Sequence, residues 1–317
     1  MGLWRRISSL IFKPNAKQLP SSFLKNGSML LEEFMDSCNG SYNIPIRNFS
    51  AKQILRATNN FDQHQLILKD GFFKIYKGSL EERLILVKKF DDDFQFSPPE
   101  AIRDIVITSQ TRSHRNVARL FGCCLEFEGP ALVYEHSGDV PLRNLLIDRY
   151  KASGHEDSSL GWKSRLRIAK DIANVVTYLH TALSRPVVHR DLKPNNIMVD
   201  QHGIAKLFDF SWSISISPEE EASGVKDQVK GKSAYSLERE EDEINLVDFV
   251  KKYVDNDQFT KILDPLILGG GGGIEQEQQL QAFLALALKC IQEKREDRPP
   301  MIAVAKELRQ IERYIHP

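Results

Sequence analysis

The chain has 317 residues, 41% hydrophobic and 27% charged, and its 43 basic and 43 acidic side chains cancel. That length suits one large two-lobed domain or two small ones, and zero net charge gives no global case for a nucleic-acid partner. No apolar run is long enough to span a bilayer. The four cysteines, Cys38, Cys123, Cys124 and Cys290, match neither a disulfide framework nor a zinc site, which points to a reducing compartment.

Residues 1–48 read as an N-terminal extension, partly disordered, interrupted by Pro14, Pro20, Gly27, Gly40 and Pro45. Its apolar stretch, Leu10 to Phe12, is too short for a secretory signal. Gly2 stands where a myristoyl chain attaches, but Arg6 replaces the usual Ser or Thr. Arg5, Arg6, Lys13 and Lys17 beside Trp4, Ile7, Leu10 and Phe12 suit either a weak membrane-surface contact through residues 1–17 or a short disordered basic tail. The tail is the simpler reading.

Residues 49–317 read as one domain. Ser50 can cap a helix over Ala51 to Asn59. Phe72 to Tyr76 and Leu84 to Val87 form a strand pair, with Gly78 to Arg83 as the turn. Pro98 to Gln110 has helical spacing, and strands follow at Leu120 to Leu125 and Ala131 to Tyr134. Beyond residue 134 helices dominate: Leu142 to Tyr150, Trp162 to Leu183, Ile244 to Val254, Gln279 to Ile291 and Met301 to Tyr314. The glycine run Gly269 to Gly273 reads as a flexible loop. The expected fold is α+β, with a small β-rich lobe over 49–134 and a larger α-helical lobe over 135–317.

The strongest chemical signal is His189-Arg190-Asp191-Leu192-Lys193-Pro194-Asn195-Asn196, which matches the protein-kinase catalytic loop. In that loop the Asp accepts a substrate hydroxyl proton, the Lys steadies the transferring phosphoryl group and the Asn holds magnesium. Asp191 and Lys193 are therefore candidate catalytic residues and Asn196 a candidate metal ligand. Asp209-Phe210-Ser211 stands where such proteins carry Asp-Phe-Gly, making Asp209 the second candidate metal ligand. Ile85-Leu86-Val87-Lys88 matches the strand whose lysine holds nucleotide phosphates and pairs with a helix carboxylate. Asp104 is the candidate carboxylate; an alignment shifted by one residue would put Ile105 there.

Phe49-Ser50 through Asn59-Asn60-Phe61, together with Ser113 to Asn116, Leu120 to Glu126 and Leu132-Val133-Tyr134-Glu135, resembles plant receptor-like kinases, in particular the wall-associated branch. The resemblance covers about residue 48 to the C-terminus. The degenerate glycine loop, Asp-Phe-Ser and late glycine run look like the plant immune pseudokinase clade tied to HopZ-type effectors. The resemblance implies a bilobal protein-kinase fold, ATP and Mg2+ as cofactors if the chain is active, and Glu135 at the nucleotide pocket. It implies a nucleotide-binding leucine-rich-repeat (NLR) immune receptor and receptor-like cytoplasmic kinases as partners. The implied location is cytoplasmic, or peripheral at the plasma membrane.

Several departures weaken nucleotide binding. Aligned on Ile75-Tyr76-Lys77-Gly78, the three phosphate-loop glycines fall on Leu68, Asp70 and Phe73. Side chains there prevent close backbone approach to phosphates. Asp70 would repel phosphate by roughly 4 kcal/mol per charge pair at about 4 Å and an effective dielectric near 20. Leu86 replaces a small residue against adenine, overpacking of about 1–3 kcal/mol. After Val229-Lys230 the chain runs directly to Gly231 to Tyr235, so part of the activation segment and the central helix of the larger lobe are missing. Arg298 resembles the arginine that pairs with the missing Glu, at a cost of about 3–5 kcal/mol if buried. Ser211, Ser213, Ser215, Ser217 and Ser223, around Glu219 to Glu221, could take a phosphate that pairs with Arg190, or form a solvated loop.

Three readings follow: a kinase-fold adaptor with weak or absent ATP binding, which the ruined glycine loop favours; a low-activity ATP-dependent Ser/Thr kinase, because Lys88, Asp191, Asn196 and Asp209 remain; and a truncated product that does not pack.

Overall fold

A computed structural model describes residues 20–37, 46–92, 97–136, 138–147, 160–216, 246–256, 258–264, 267 and 273–313. The expectations for residues 1–17, Cys38, Ser217, Glu219 to Glu221, Ser223, the missing segment around Val229 to Tyr235, and Gly269 to Gly272 lie outside them. The chain packs as two units, Met1–Asn144 with Tyr178–Gly224 and Leu145–Thr177 with Val225–Pro317.

Runs rich in β-branched and aromatic residues build the sheet of the first unit. Its strands are β1 (Arg47–Asn48), β2 (Leu66–Asp70), β3 (Phe73–Leu80), β4 (Arg83–Phe90), β5 (Leu120–Cys124) and β6 (Ala131–Glu135). They lie in the order β1-β5-β6-β4-β3-β2. Only β1 and β5 pair in parallel; the other ladders are antiparallel. The β3–β4 hairpin turns at Glu81 and Glu82, both at positive φ, as a tight two-residue turn demands. The turn is tighter than the expected Gly78 to Arg83. Gly78 sits within β3, where a Cβ would come 2.8 Å from the Ala57 carbonyl oxygen.

Successive strand residues face opposite sides. Leu86, Cys123, Leu132 and Tyr134 enter one core cluster; Ile85, Val87, Cys124, Ala131 and Val133 enter another. The second is covered by α2 (Ala51–Ala57) through Ile54. Ser50 starts that helix with a reciprocal capping box to Gln53. The first is covered by α3 (Ser97–Thr111), which buries Ala101, Ile102, Ile105 and Val106.

One further helix, α1 (Ser21–Ser37), lies in the stretch whose breakers gave no hint of it. It packs along α3 and buries Phe23 and Leu30 in the first core. Ser22 Oγ donates to the Glu126 carbonyl at 2.7 Å, and Asn26 Nδ2 donates to the Leu125 and Phe127 carbonyls at 3.1 and 2.9 Å. These bonds fix the helix's position along the loop after β5. The structured part of the first unit therefore begins upstream of residue 49.

The remaining strands of this unit are short: β7 (Val140–Pro141), β8 (Val187–Val188), β9 (Ile197–Val199), β10 (Ala205–Leu207) and β11 (Ile214–Ser215). β9 pairs with β7 and β10, and β8 with β11. An isolated parallel bridge from Val117 to Leu207 ties β10 to the segment before β5.

Helix α4 (Leu142–Ile147) crosses from the first unit into the second, and α5 (Trp162–Thr181) begins in the second and ends in the first. The second unit adds α6 (Leu246–Asp255), α7 (Gly273–Cys290) and α8 (Met301–Arg313). Trp162, Leu166, Leu280, Leu286, Val304 and Leu308 share its core. Trp162 Nε1 donates to Gln279 Oε1 at 2.7 Å, and Gln279 Nε2 to the Ile311 carbonyl at 2.8 Å. The condition of burial set for Arg298 is not met. The residue is exposed and donates to the Gln292 and Glu293 carbonyls, so the burial penalty does not arise.

Candidate functional site

All the candidate site residues lie in the first unit. Lys88 sits in β4 with its side chain on the α3 side of the sheet. Its Nζ is 2.7 Å from Asp104 Oδ2 and 2.6 Å from Asp209 Oδ1, and all three side chains are 0% exposed. Asp104 thus fills the carboxylate position, while Ile105 is core. The other Asp104 oxygen accepts from Thr108 Oγ1 and the Phe210 N–H, each at 3.0 Å. Tyr134 Oη lies 3.4 Å from Asp104 Oδ2. Burial alone would raise the Asp209 carboxyl, but the charge and hydrogen bond of Lys88 outweigh it and hold it below the usual range.

Ser211 is fully buried and tightens this knot. Its hydroxyl donates to Asp209 Oδ1 and lies 3.2 Å from Lys88 Nζ, while its carbonyl accepts from Arg103. Asp209 and Arg190 are held at φ of 64° and 67°, a region unfavourable for residues other than glycine. Ser213 is also buried and donates to the His189 carbonyl. Ser211 and Ser213 are therefore not accessible phosphate acceptors; Ser215 pairs through its backbone in β11 and is half-buried.

Above Lys88 the space is filled with aromatic rings. The Phe73 ring centre is 4.2 Å and the Phe90 ring centre 4.5 Å from Nζ. Phe72 meets Phe73 edge-on at 5.5 Å and Trp212 at 5.7 Å. Leu68 is buried in the same core. The strand pattern alone places Phe72 and Phe73 in a hairpin; that Phe73 covers a lysine while Phe72 packs against Phe73 and Trp212 is not legible there. The roles of Phe90 and Trp212 were likewise missed, and no motif marks them.

Asp70 ends β2 and pairs across the hairpin with Phe73. The charge expected to repel phosphate has partners within the chain. Asp70 Oδ2 lies 3.1 Å from Lys193 Nζ and accepts from Asn195 Nδ2 at 3.2 Å, and its Oδ1 accepts from the Gly71 N–H at 2.7 Å. Lys193 Nζ also lies 2.9 Å from Asp191 Oδ2, which accepts from Asn196 Nδ2 at 3.0 Å. Partial burial would push the Asp70 carboxyl up; the Gly71 N–H and Lys193 bring it below its usual value. Burial would lower Lys193, yet Asp191 and Asp70 together raise it.

Ile75, Leu86, Ala118, Tyr134, Met198 and Phe208 enclose the region where an adenine would lie in a protein of this kind, with Glu135 at its edge. They leave about 20 Å³ of solvent-accessible space, room for a water rather than a purine. Leu86 contributes to this closure as expected. Glu135 is largely exposed and lies 3.3 Å from Arg119 Nη1.

The donor set for a hard cation is partly kept. Asp209 Oδ2 and Asn196 Oδ1 are buried without hydrogen-bond partners, oxygens of the type magnesium takes. The nucleotide does not fit: rings stand over Lys88, a carboxylate stands at Lys193, and the adenine region is closed.

The profile of the protein tyrosine and serine/threonine kinase family matches residues 62–236. From Arabidopsis thaliana, the serine/threonine-protein kinase ZRK1 is 37% identical over 92% of this chain and 92% of its own length. The non-functional pseudokinase ZED1 is 39% identical over 92% and 96%, and the non-functional pseudokinase ZRK2 34% identical over 92% and 89%. The ZRK1 alignment extends over 330 positions, so that relative carries residues with no counterpart in this chain.

Proposed function

This chain belongs to the protein kinase family, among the ZED1-related kinases, and we propose that it works as a kinase-fold adaptor whose nucleotide binding is weak or absent. The observation that carries this is the packing of Phe73 and Phe90 over the Lys88 ammonium. A lysine that must hold phosphates needs an open face beside its carboxylate partner; this one keeps carboxylate partners in Asp104 and Asp209, but its remaining face is covered by rings. The pseudokinase names of ZED1 and ZRK2 point the same way.

The setting we propose is plant innate immune signalling, with the chain bridging an NLR immune receptor and active receptor-like cytoplasmic kinases. The family resemblance supports it, including the link to HopZ-type effectors and a place beside the wall-associated branch. The location proposed is the cytoplasm, with or without peripheral contact at the plasma membrane; among the described residues no helix is long and apolar enough to cross a membrane.

The test is thermal unfolding with millimolar ATP and magnesium. A ligand that binds only the folded state raises the midpoint; no shift is expected here, and a rise of many degrees would overturn the reading. A second reading, slow Ser/Thr kinase activity, is favoured by one observation: Asp209 Oδ2 and Asn196 Oδ1 remain unpartnered. Phosphate transfer abolished by Asp191→Asn would establish it.

A further inference from the structure

We propose that Asp70 is a built-in ligand of the catalytic loop, its carboxylate standing in for an anionic group at Lys193 and latching the β2–β3 flap shut from within the chain.

The geometry begins with a short hairpin. Asp70 and Phe73 pair directly, so Gly71 and Phe72 form the whole tip. Phe72 and Phe73 anchor the tip in the aromatic core. The Asp70 side chain emerges beside them and is only 9% exposed. There it meets two donors from a segment more than a hundred residues away: Lys193 Nζ at 3.1 Å and Asn195 Nδ2 at 3.2 Å. The Gly71 N–H bonds to the other carboxylate oxygen and fixes its direction.

An exposed ion pair contributes little, because water screens it and two long side chains lose freedom. This pair differs in three respects. The acceptor is short and nearly buried, a second side-chain donor shares it, and Lys193 is already oriented by Asp191 at 2.9 Å. Charge-assisted bonds of that kind are the stronger class. Loss of the glycine at position 70 therefore does more than exclude phosphate. It gives Lys193 a second anion beside Asp191, one that belongs to the flap, and it sets the flap without a nucleotide. A carboxylate below its ordinary pKa beside a lysine above its own agrees with such a pairing.

The proposal rests on the nucleotide-free reading, since a bound triphosphate would compete for Lys193. The two fail separately. ATP added to the unmodified chain tests only that reading; the latch is read without nucleotide. The experiment is native-state hydrogen exchange on the full chain and on Asp70→Asn, Lys193→Met and the double variant. Each single change should lower amide protection about tenfold both at residues 66–73 and at 191–196, the size expected for a charge-assisted bond, and the double should lose no more than either single. Additive losses, or losses confined to the mutated segment, would overturn the latch. If Asp70→Asn cannot be purified, Lys193→Met alone decides. Lost protection at residues 66–73 arises across the contact, and unchanged protection there refutes it.

Discussion

The ring of Phe73 lies 4.2 Å from the ammonium of Lys88, and both residues are fully buried. Phe73 occupies an aligned glycine position, so restoring that glycine is a direct trial of what the ring does. Phe73→Gly should not give ATP binding, because Phe72, Phe90 and Asp70 remain. It should instead open a cavity over a buried charge and destabilise the protein by about 3–5 kcal/mol. Urea unfolding of the variant measures this, and ATP with magnesium added to the same samples should leave the midpoint unmoved.

Lys88 is structural on this account. Replacing it with Met leaves the carboxylates of Asp104 and Asp209 buried without their cation. Breaking a buried pair this way destabilises by about 3–5 kcal/mol. Adding Asp104→Asn and Asp209→Asn to Lys88→Met should recover part of the loss, since the unpaired charges are then gone. A lysine kept only for catalysis would give a Met variant as stable as the parent, a difference that chemical denaturation resolves.

The pH dependence of stability has a definite sign. Burial holds His189 below its usual pKa, only partly offset by Asp209, a backbone hydrogen bond, Asp191 and Asp104. The folded protein keeps it neutral while the unfolded chain takes up a proton near pH 6.5. Folding is therefore penalised increasingly as pH falls below about 6.5. Asp70 and Asp209, both depressed, add stability that is present above their unfolded value near 3.9 and is lost as pH falls through their folded values. The melting midpoint should fall from pH 8 to pH 5, then fall more steeply below pH 4. His189→Asn should flatten the first part and leave the second.

Much of the architecture was written locally. The capping box at Ser50, the apolar stripe of α5, the β3–β4 pair and the His189 to Asn196 loop depend on neighbours along the chain, and each stands within a few residues of where its pattern put it. The three glycine-loop replacements were legible for the same reason. Helix α1 was hidden because its partners, the core that takes Phe23 and Leu30 and the carbonyls of Leu125, Glu126 and Phe127, lie far along the chain. The fate of Asp70 was hidden likewise. A carboxylate in a phosphate loop reads as repulsion until Lys193 and Asn195 arrive beside it. The family, the β3–β4 hairpin with β5 and β6, the main helices after residue 160 and the loss of the phosphate-loop glycines are properties of contiguous residues and can be read along the chain. That Phe73 and Phe90 cover Lys88, that Ser211 binds Asp209 and that Asp70 meets the catalytic loop emerge only from the folded arrangement. Burial and charge pairing are set by which distant side chains share one small volume.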